Sequence, residues 1–226
     1  MTKDAELISV FGRRGSGKST LTKALIKTGR PKLIVFDAIG EYGGGRGWTR
    51  CSSRKDLIAA MKKKWKSGFK ISYQPTDGNH IEDLHKVCMI AFKVQQPYKD
   101  GRDDRKLTLV VEEADLSMPA QAVGRDVSGM QKLTLQGRHW GLEAIAISQR
   151  PALVSTHFRG NVATSYVFAL SSQNDRDEIA KVIGREHRQM LTQMQNHEFI
   201  CIENGSFQKG KTTKTGAVSY VRTDGK

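Results

Sequence analysis

Long apolar runs are missing from this chain. Nothing in its 226 residues approaches the ~20 consecutive apolar positions that a membrane-crossing helix needs. Cysteine is scarce. Cys51, Cys88 and Cys201 are scattered, odd in number and without metal-ligand spacing, which argues against a disulfide framework and for a reduced, cytoplasmic setting. No grouping of His, Cys and acidic residues suggests zinc or another metal cluster. The opening MTKDAELISVFG lacks the apolar core of a signal peptide and passes directly into a strand pattern. Acidic residues are in deficit: 23 Asp and Glu against 37 Lys and Arg leave a net charge of +14. Such a surface attracts polyanions, and with no amphipathic membrane-binding helix standing out, nucleic acid is the expected partner.

What is present is an alternation of strand-like and helical patterns. Strands are expected at 6–11, 32–37, 69–74, 107–115, 142–148 and 163–170, and helices at 17–28, 54–65, 80–96, 126–140, 175–183 and 186–194. Pro97 is expected to end the third helix, and YKDGRDDRK to form an exposed turn. The glycine-rich GEYGGGRGW, 40–48, reads as a mobile loop. Residues 198–210 form a hairpin around Asn204-Gly205, a pair suited to a type I′ turn. The length suits one domain, 1–226, with 203–226 a basic hairpin and tail that is either disordered or an edge strand. The alternation implies an α/β fold, a central mostly parallel sheet flanked by helices.

Three stretches carry chemistry. GRRGSGKS, from Gly12 to Ser19, satisfies the phosphate-loop pattern G-x-x-x-x-G-K-[ST], with a strand before it and a helix after it. Gly12, Gly15 and Gly17 free the backbone so that amides around Arg13, Arg14 and Ser16 turn inward on phosphate oxygens at a helix N-terminus. Lys18 reaches the β- and γ-phosphates of ATP, Ser19 ligates magnesium, and Thr20 touches the α-phosphate side. LVVEEAD then sets Glu112 and Glu113 at the C-terminal end of an apolar strand, the edge where open α/β sheets bind ligands. Glu112 is expected to hold the magnesium water shell and Glu113 to act as general base on water. Asp115 reads as a turn or helix cap. Finally, GLEAIAISQRP ends a strand on Gln149, whose neutral amide is placed to sense the γ-phosphate or the attacking water.

The series GRRGSGKST, VFDAIGEY, VVEEAD, GRHWGLEAIAISQRP and FRGNVATSYVFAL resembles the HerA–FtsK superfamily of ring-forming DNA-pumping ATPases, over about residues 8–184. Glu112 is a departure, since that position usually holds Asp. The resemblance implies a RecA/ASCE-like P-loop NTPase, a hexameric homo-oligomeric ring, ATP bound between subunits and double-stranded DNA threaded through the centre without sequence preference. The compact chain resembles the viral genome-packaging branch, which implies a capsid or membrane anchor and a location in host cytoplasm or virion. An arginine from the neighbouring subunit is also implied, with Arg138 in QGRHWG preferred over Arg159 and Arg150.

DNA contacts are expected from 118–125, including Arg125, from 155–161, and from KKKWK (62–66) and KGKTTK (209–214), although KKKWK also reads as a solvated helix face with Trp65 packed inward. His139 and Trp140 read as packing residues. The alternative reading is a small-molecule or nucleotide kinase whose lid would use Arg102 and Arg105. It has no use for Glu113 and leaves ISQRP unexplained. A non-catalytic nucleotide-fold protein is the third reading, and intact Lys18, Ser19, Glu112 and Glu113 argue against it.

Overall fold

The computed structural model describes residues 5–27, 29–75, 78–121 and 128–221. Its strands are β1 (Leu7–Phe11), β2 (Lys32–Phe36), β3 (Trp48–Cys51), β4 (Phe69–Tyr73), β5 (Leu107–Val111), β6 (Leu142–Ser148), β7 (Thr164–Phe168), β8 (Glu198–Glu203), β9 (Ser206–Thr212) and β10 (Val218–Tyr220). The helices are α1 (Lys18–Leu25), α2 (Arg54–Lys64), α3 (His80–Val94), α4 (Gln96–Lys99), α5 (Ala114–Ser117), α6 (Gly129–Gln136), α7 (Thr156–Arg159), α8 (Gln173–Ile183) and α9 (Met190–Gln193). All described strands join one sheet in the order β10-β9-β8-β7-β1-β6-β5-β2-β4-β3. From β7 to β3 neighbours run parallel, while β8, β9 and β10 are added antiparallel.

The central strands have no polar face because both faces are covered. On one side Leu33, Val35, Val10 and Val110 pack with Leu21 and Ile26 around α1. On the other, Ile34, Phe36, Leu109 and Val111 meet Leu57 of α2 and Leu84 and Val87 of α3. Each such fully buried aliphatic side chain contributes roughly 1.5–3 kcal/mol of transfer free energy. Helix starts follow their caps: Ser53 accepts from the Asp56 N–H at 3.1 Å ahead of α2, and Asn79 from the Glu82 N–H at 3.2 Å ahead of α3.

The expected α/β architecture holds, with local corrections. The segment read as a mobile loop leads into β3, so the acidic strand is the fifth in the chain rather than the fourth. The head of that loop is also anchored. Fully buried Asp37 accepts the N–H groups of Glu41 (2.9 Å) and Tyr42 (3.0 Å) and the Ser72 hydroxyl (2.8 Å). The third helix ends at Val94, ahead of Pro97 as expected, but a short separate helix follows, and Pro97 sits in the first turn of this α4, where a missing N–H costs nothing. The helix expected over 126–140 runs from Gly129 to Gln136 and tightens into a 3-10 turn, Gly137–Trp140; Asp126 and Arg125 lie outside the described residues, as does Thr28. The helix expected over 186–194 divides into a 3-10 turn, Arg185–His187, and α9. Asn204 and Gly205 both take positive φ, as the hairpin turn requires. The possible tail strand is β10.

The turn read as exposed is partly a structural clamp. Lys32 has no exposed surface, and its ammonium donates to Gln95 (3.0 Å), Asp103 (2.9 Å) and the Arg105 carbonyl (3.3 Å) while lying 3.9 Å from the Trp65 ring centre. Arg105 forks onto Asp103 and donates to the carbonyls of Trp65 and Lys66. Nearby, Arg30 and Lys106 both pair with Glu143. This network gathers the starting ends of β2, β5 and β6 and the end of α2.

Candidate active site

The chemistry lies at the opposite edge. β1 ends at Phe11, and the loop from Gly12 to Gly17 turns the chain into α1. The loop is stitched to its neighbours: Gly12 N–H donates to Ser148 O (3.2 Å) and Arg13 N–H to Ala169 O (2.8 Å). Side chains are excluded at two points. A Cβ at Gly12 would stand 2.6 Å from the Phe168 Cβ, and Gly17 caps α1 with φ +111, a left-handed conformation that glycine adopts without strain. The first bond of the helix runs from Leu21 N–H to Gly17 O, so the amides ahead of it, through Lys18, Ser19 and Thr20, stay outside the helical ladder. Gly15 has positive φ and open space around it. Arg13 and Arg14 are exposed and flank an open cleft of about 540 Å³ with Gln149 and Arg150.

Lys18 arches back over the loop, donating to the Arg13 carbonyl at 3.1 Å. Burial holds its pKa below the ordinary lysine value, with Glu113, Glu112, Glu41 and Asp115 pulling the other way. Because β6 lies between β1 and β5, the ends of all three strands converge. Glu113 leaves β5 in a left-handed conformation, φ 45 and ψ 55, and opens α5. Its carboxylate accepts from the Gln149 amide at 3.1 Å. A left-handed non-glycine residue at such a place is strain the surrounding structure has to impose. Asp115 acts as a cross-strand latch rather than a helix cap: its carboxylate accepts the Ser148 hydroxyl at 2.6 Å, and that hydroxyl accepts the Arg150 N–H at 2.9 Å.

Glu112 is 3% exposed, and burial first, then Glu41, Glu113 and Asp37, push its pKa up to about 7, while Tyr42 favours the charged form. One Glu112 oxygen, Oε1, is buried without a hydrogen-bond partner among the described residues, and so is the Ser16 hydroxyl. Native proteins rarely leave such groups unpaired. Open amides, an ammonium, two hydroxyls and a buried carboxylate with a free oxygen fit a polyphosphate carrying a divalent cation.

The residues expected to act within one chain therefore meet: Gly12 to Thr20, Glu112, Glu113 and Gln149. The arginines do not join them. Arg138 is exposed on the 3-10 turn before β6, at the starting edge of the sheet, with the His139 ring 3.5 Å away. His139 is likewise exposed rather than packed, whereas Trp140 packs edge-on to Phe92. Arg150 pairs with buried Asp175 at 2.8 Å, and Arg159 with Glu178 at 2.7 Å. Arg102 and Arg105, the lid candidates of the kinase reading, are bound to Asp100 and Asp103 on the starting-edge side. The two candidate DNA loops do meet. Ala120 N–H donates to Leu153 O (2.7 Å), Ser155 N–H donates to Met118 O (2.9 Å), and Pro119 bridges Val154.

Sequence reasoning missed two groups. Tyr42, concealed in a glycine-rich stretch, is buried against Glu112. His197 supports the phosphate loop: its N–H donates to Ser16 O at 2.7 Å, its ring would stand 2.9 Å from a Cβ on Gly17, and its backbone is left-handed at φ 71. An isolated histidine before a strand gave no signal of this.

Strand order, loop and acidic strand end together define a P-loop NTPase fold. Among solved structures, the chain is similar to the genome packaging NTPase B204 from Sulfolobus turreted icosahedral virus 2 in complex with AMPPCP, with a TM-score of 0.67 and 18% identity over 91% of this chain and 96% of that one. It is also similar to VirB4 of Thermoanaerobacter pseudethanolicus, with a TM-score of 0.56 and 12% identity over 88% and 87% of the two chains. The same TM-score, 0.56, holds for EssC (ATPases 2 and 3) from Geobacillus thermodenitrificans, at 13% identity over 89% of this chain and 38% of that one. These are P-loop ATPases of the HerA–FtsK superfamily, and at such identities the likeness is one of fold. No protein-family model matches the sequence, and no curated protein does. No helix among the described residues is long and apolar enough to cross a membrane.

Proposed function

We propose that this chain hydrolyses ATP to drive double-stranded DNA, as a genome-packaging or related translocating motor of viral or proviral origin. The observation that carries the reading is the Gln149–Glu113 hydrogen bond of 3.1 Å beside the phosphate loop. A phosphotransferase to another substrate needs no carboxylate that activates water. Glu113 takes a proton from water as its oxygen attacks the γ-phosphorus, and the bond to the ADP oxygen breaks. Gln149 orients that water and exchanges partners when the γ-phosphate leaves. The loop amides from Gly12 to Thr20 and Lys18 bind the phosphates. Ser19 and Glu112 would hold magnesium, which when bound neutralises phosphate charge.

Glu113 leads within five residues to Met118, and Gln149 within five to Val154, so the hydrolytic pair feeds both sides of the ribbon formed by the candidate DNA loops. Arg138, exposed and away from its own cradle, is available to a neighbouring subunit in a homo-oligomeric, hexameric ring. Exposed Lys62, Lys63, Lys66, Lys209, Lys211 and Lys214 supply sequence-independent attraction for the phosphate backbone. The capsid or membrane anchor and the setting in host cytoplasm or virion belong to the same reading, which the fold shared with B204 supports. The test is phosphate release with and without duplex DNA at low salt. Stimulation that fades as salt rises is expected, and a rate indifferent to DNA would remove the motor from the reading.

A further inference from the structure

His197 immediately precedes β8, in a turn that the Glu198 N–H closes on Gln195 O at 3.1 Å. Its φ of 71 is one that glycine takes without strain, yet a histidine stands there and is held at three points. Its N–H donates to Ser16 O at 2.7 Å, and its carbonyl accepts the Thr212 N–H at 2.8 Å. Its ring Nδ1 lies 3.1 Å from the hydroxyl of Thr212, a buried residue of β9. The histidine also closes on Gly17, where an added Cβ would meet Nδ1 at 2.9 Å and the His197 Cα at 3.3 Å. The Phe168 ring would stand 3.2 Å from the same Cβ, and it lies 5.5 Å from the ring of Phe199, two residues beyond His197. The consequence is directional. The Ser16–Gly17 peptide is trans, so its carbonyl and its N–H point to opposite sides. A Ser16 carbonyl turned out to His197 therefore turns the Gly17 N–H the other way, into the hollow over which Lys18 arches.

We propose that His197 is a positioning residue for the phosphate loop, its tie to Thr212 holding the Ser16–Gly17 peptide so that the Gly17 amide faces the polyphosphate of the nucleotide. The inference rests on the ATPase reading and adds a determinant of polyphosphate affinity supplied by strands well beyond the motif. His197→Gly removes the ring while easing the backbone, and Thr212→Val removes the hydroxyl while keeping its shape, so the fold is expected to survive both. ADP binding to the full chain is measured by calorimetry without divalent cation, and ATP turnover with magnesium gives KM and kcat. Each variant is expected to weaken ADP and raise KM about ten- to a hundredfold, the span for one hydrogen bond to a charged group, with kcat altered far less. His197→Asn should recover both, because asparagine tolerates the left-handed backbone and its amide offers a polar atom near the place of Nδ1. In the double variant the losses should not add, since either change breaks the same tie. Parental ADP affinity and KM in both single variants overturn the proposal. So do additive losses, an Asn variant no better than Gly, or a fall in kcat with KM unmoved. Failure of the parent chain to bind ADP sinks the ATPase reading instead.

Discussion

The two edges of the sheet are built from the same residue types and treat them differently. At the starting edge, Lys32, Asp103, Arg105, Gln95, Arg30 and Glu143 are buried or half-buried and pair with one another. At the finishing edge, Ser16, Tyr42 and Glu112 carry buried polar atoms with no partner among the described residues, and Glu113 sits in a strained conformation. A satisfied polar cluster holds elements together; an unsatisfied one is preorganised for something that arrives. Density of charge alone does not mark an active site. Unspent hydrogen-bonding capacity does.

Arg138 offers the strongest way to break this contrast, because it would place a working residue on the structural edge. Arg138→Ala is expected to lower kcat roughly 10³- to 10⁵-fold, the range for a trans-acting arginine, and mixing with Glu113→Gln subunits should restore turnover in shared rings. No recovery at any mixing ratio returns that edge to a purely structural role. Next in size, Glu113→Gln should reduce phosphate release by about 10²–10⁴-fold while calorimetry shows nucleotide still bound. An unchanged rate would move the general base elsewhere.

At the paired edge the expected damage is to stability, not turnover. Asp103→Ala leaves Lys32 as a buried charge short of its carboxylate and should cost about 3–5 kcal/mol in denaturant unfolding. Lys32→Met should cost less, because Asp103 keeps Arg105. The smallest effect is in pH. The Arg105 guanidinium first, with Lys32, holds the Asp103 carboxyl below its ordinary value of 3.8. Its stabilisation is therefore complete above that pH and is lost as pH falls toward the lowered native value. Asp103→Asn should flatten acid unfolding there, and an unaltered acid limb would show that the clamp contributes nothing through charge.

The finishing edge was legible in sequence because its constraints are local: a glycine-spaced loop, two adjacent carboxylates and a strand-terminal amide, each read by position on an apolar strand. Parallel strands ending on one side then required Glu113 and Gln149 to approach the loop. The starting edge was not legible. Lys32 opens an apolar strand, Asp103 lies in a turn rich in exposed charges, and only tertiary packing joins residues 71 positions apart. β3 escaped because WTRC offers no apolar alternation after its glycines, and Tyr42 because its burial depends on Asp37 and Ser72. Arg125 and the rest of 122–127 lie outside the described residues, so of the two expected DNA loops the first is described only from Met118 to Gln121 and the second over the whole of 155–161.

β1, which leads into the phosphate loop, lies between β6 and β7, and the Ser9 hydroxyl bonds to Ser165, 156 residues downstream. Closing so long a stretch of chain is entropically costly and slow. A ribosome must therefore release most of the polypeptide before the first strand has both its neighbours. Until then a nascent chain carries every residue of the phosphate motif and still has no place to hold a nucleotide.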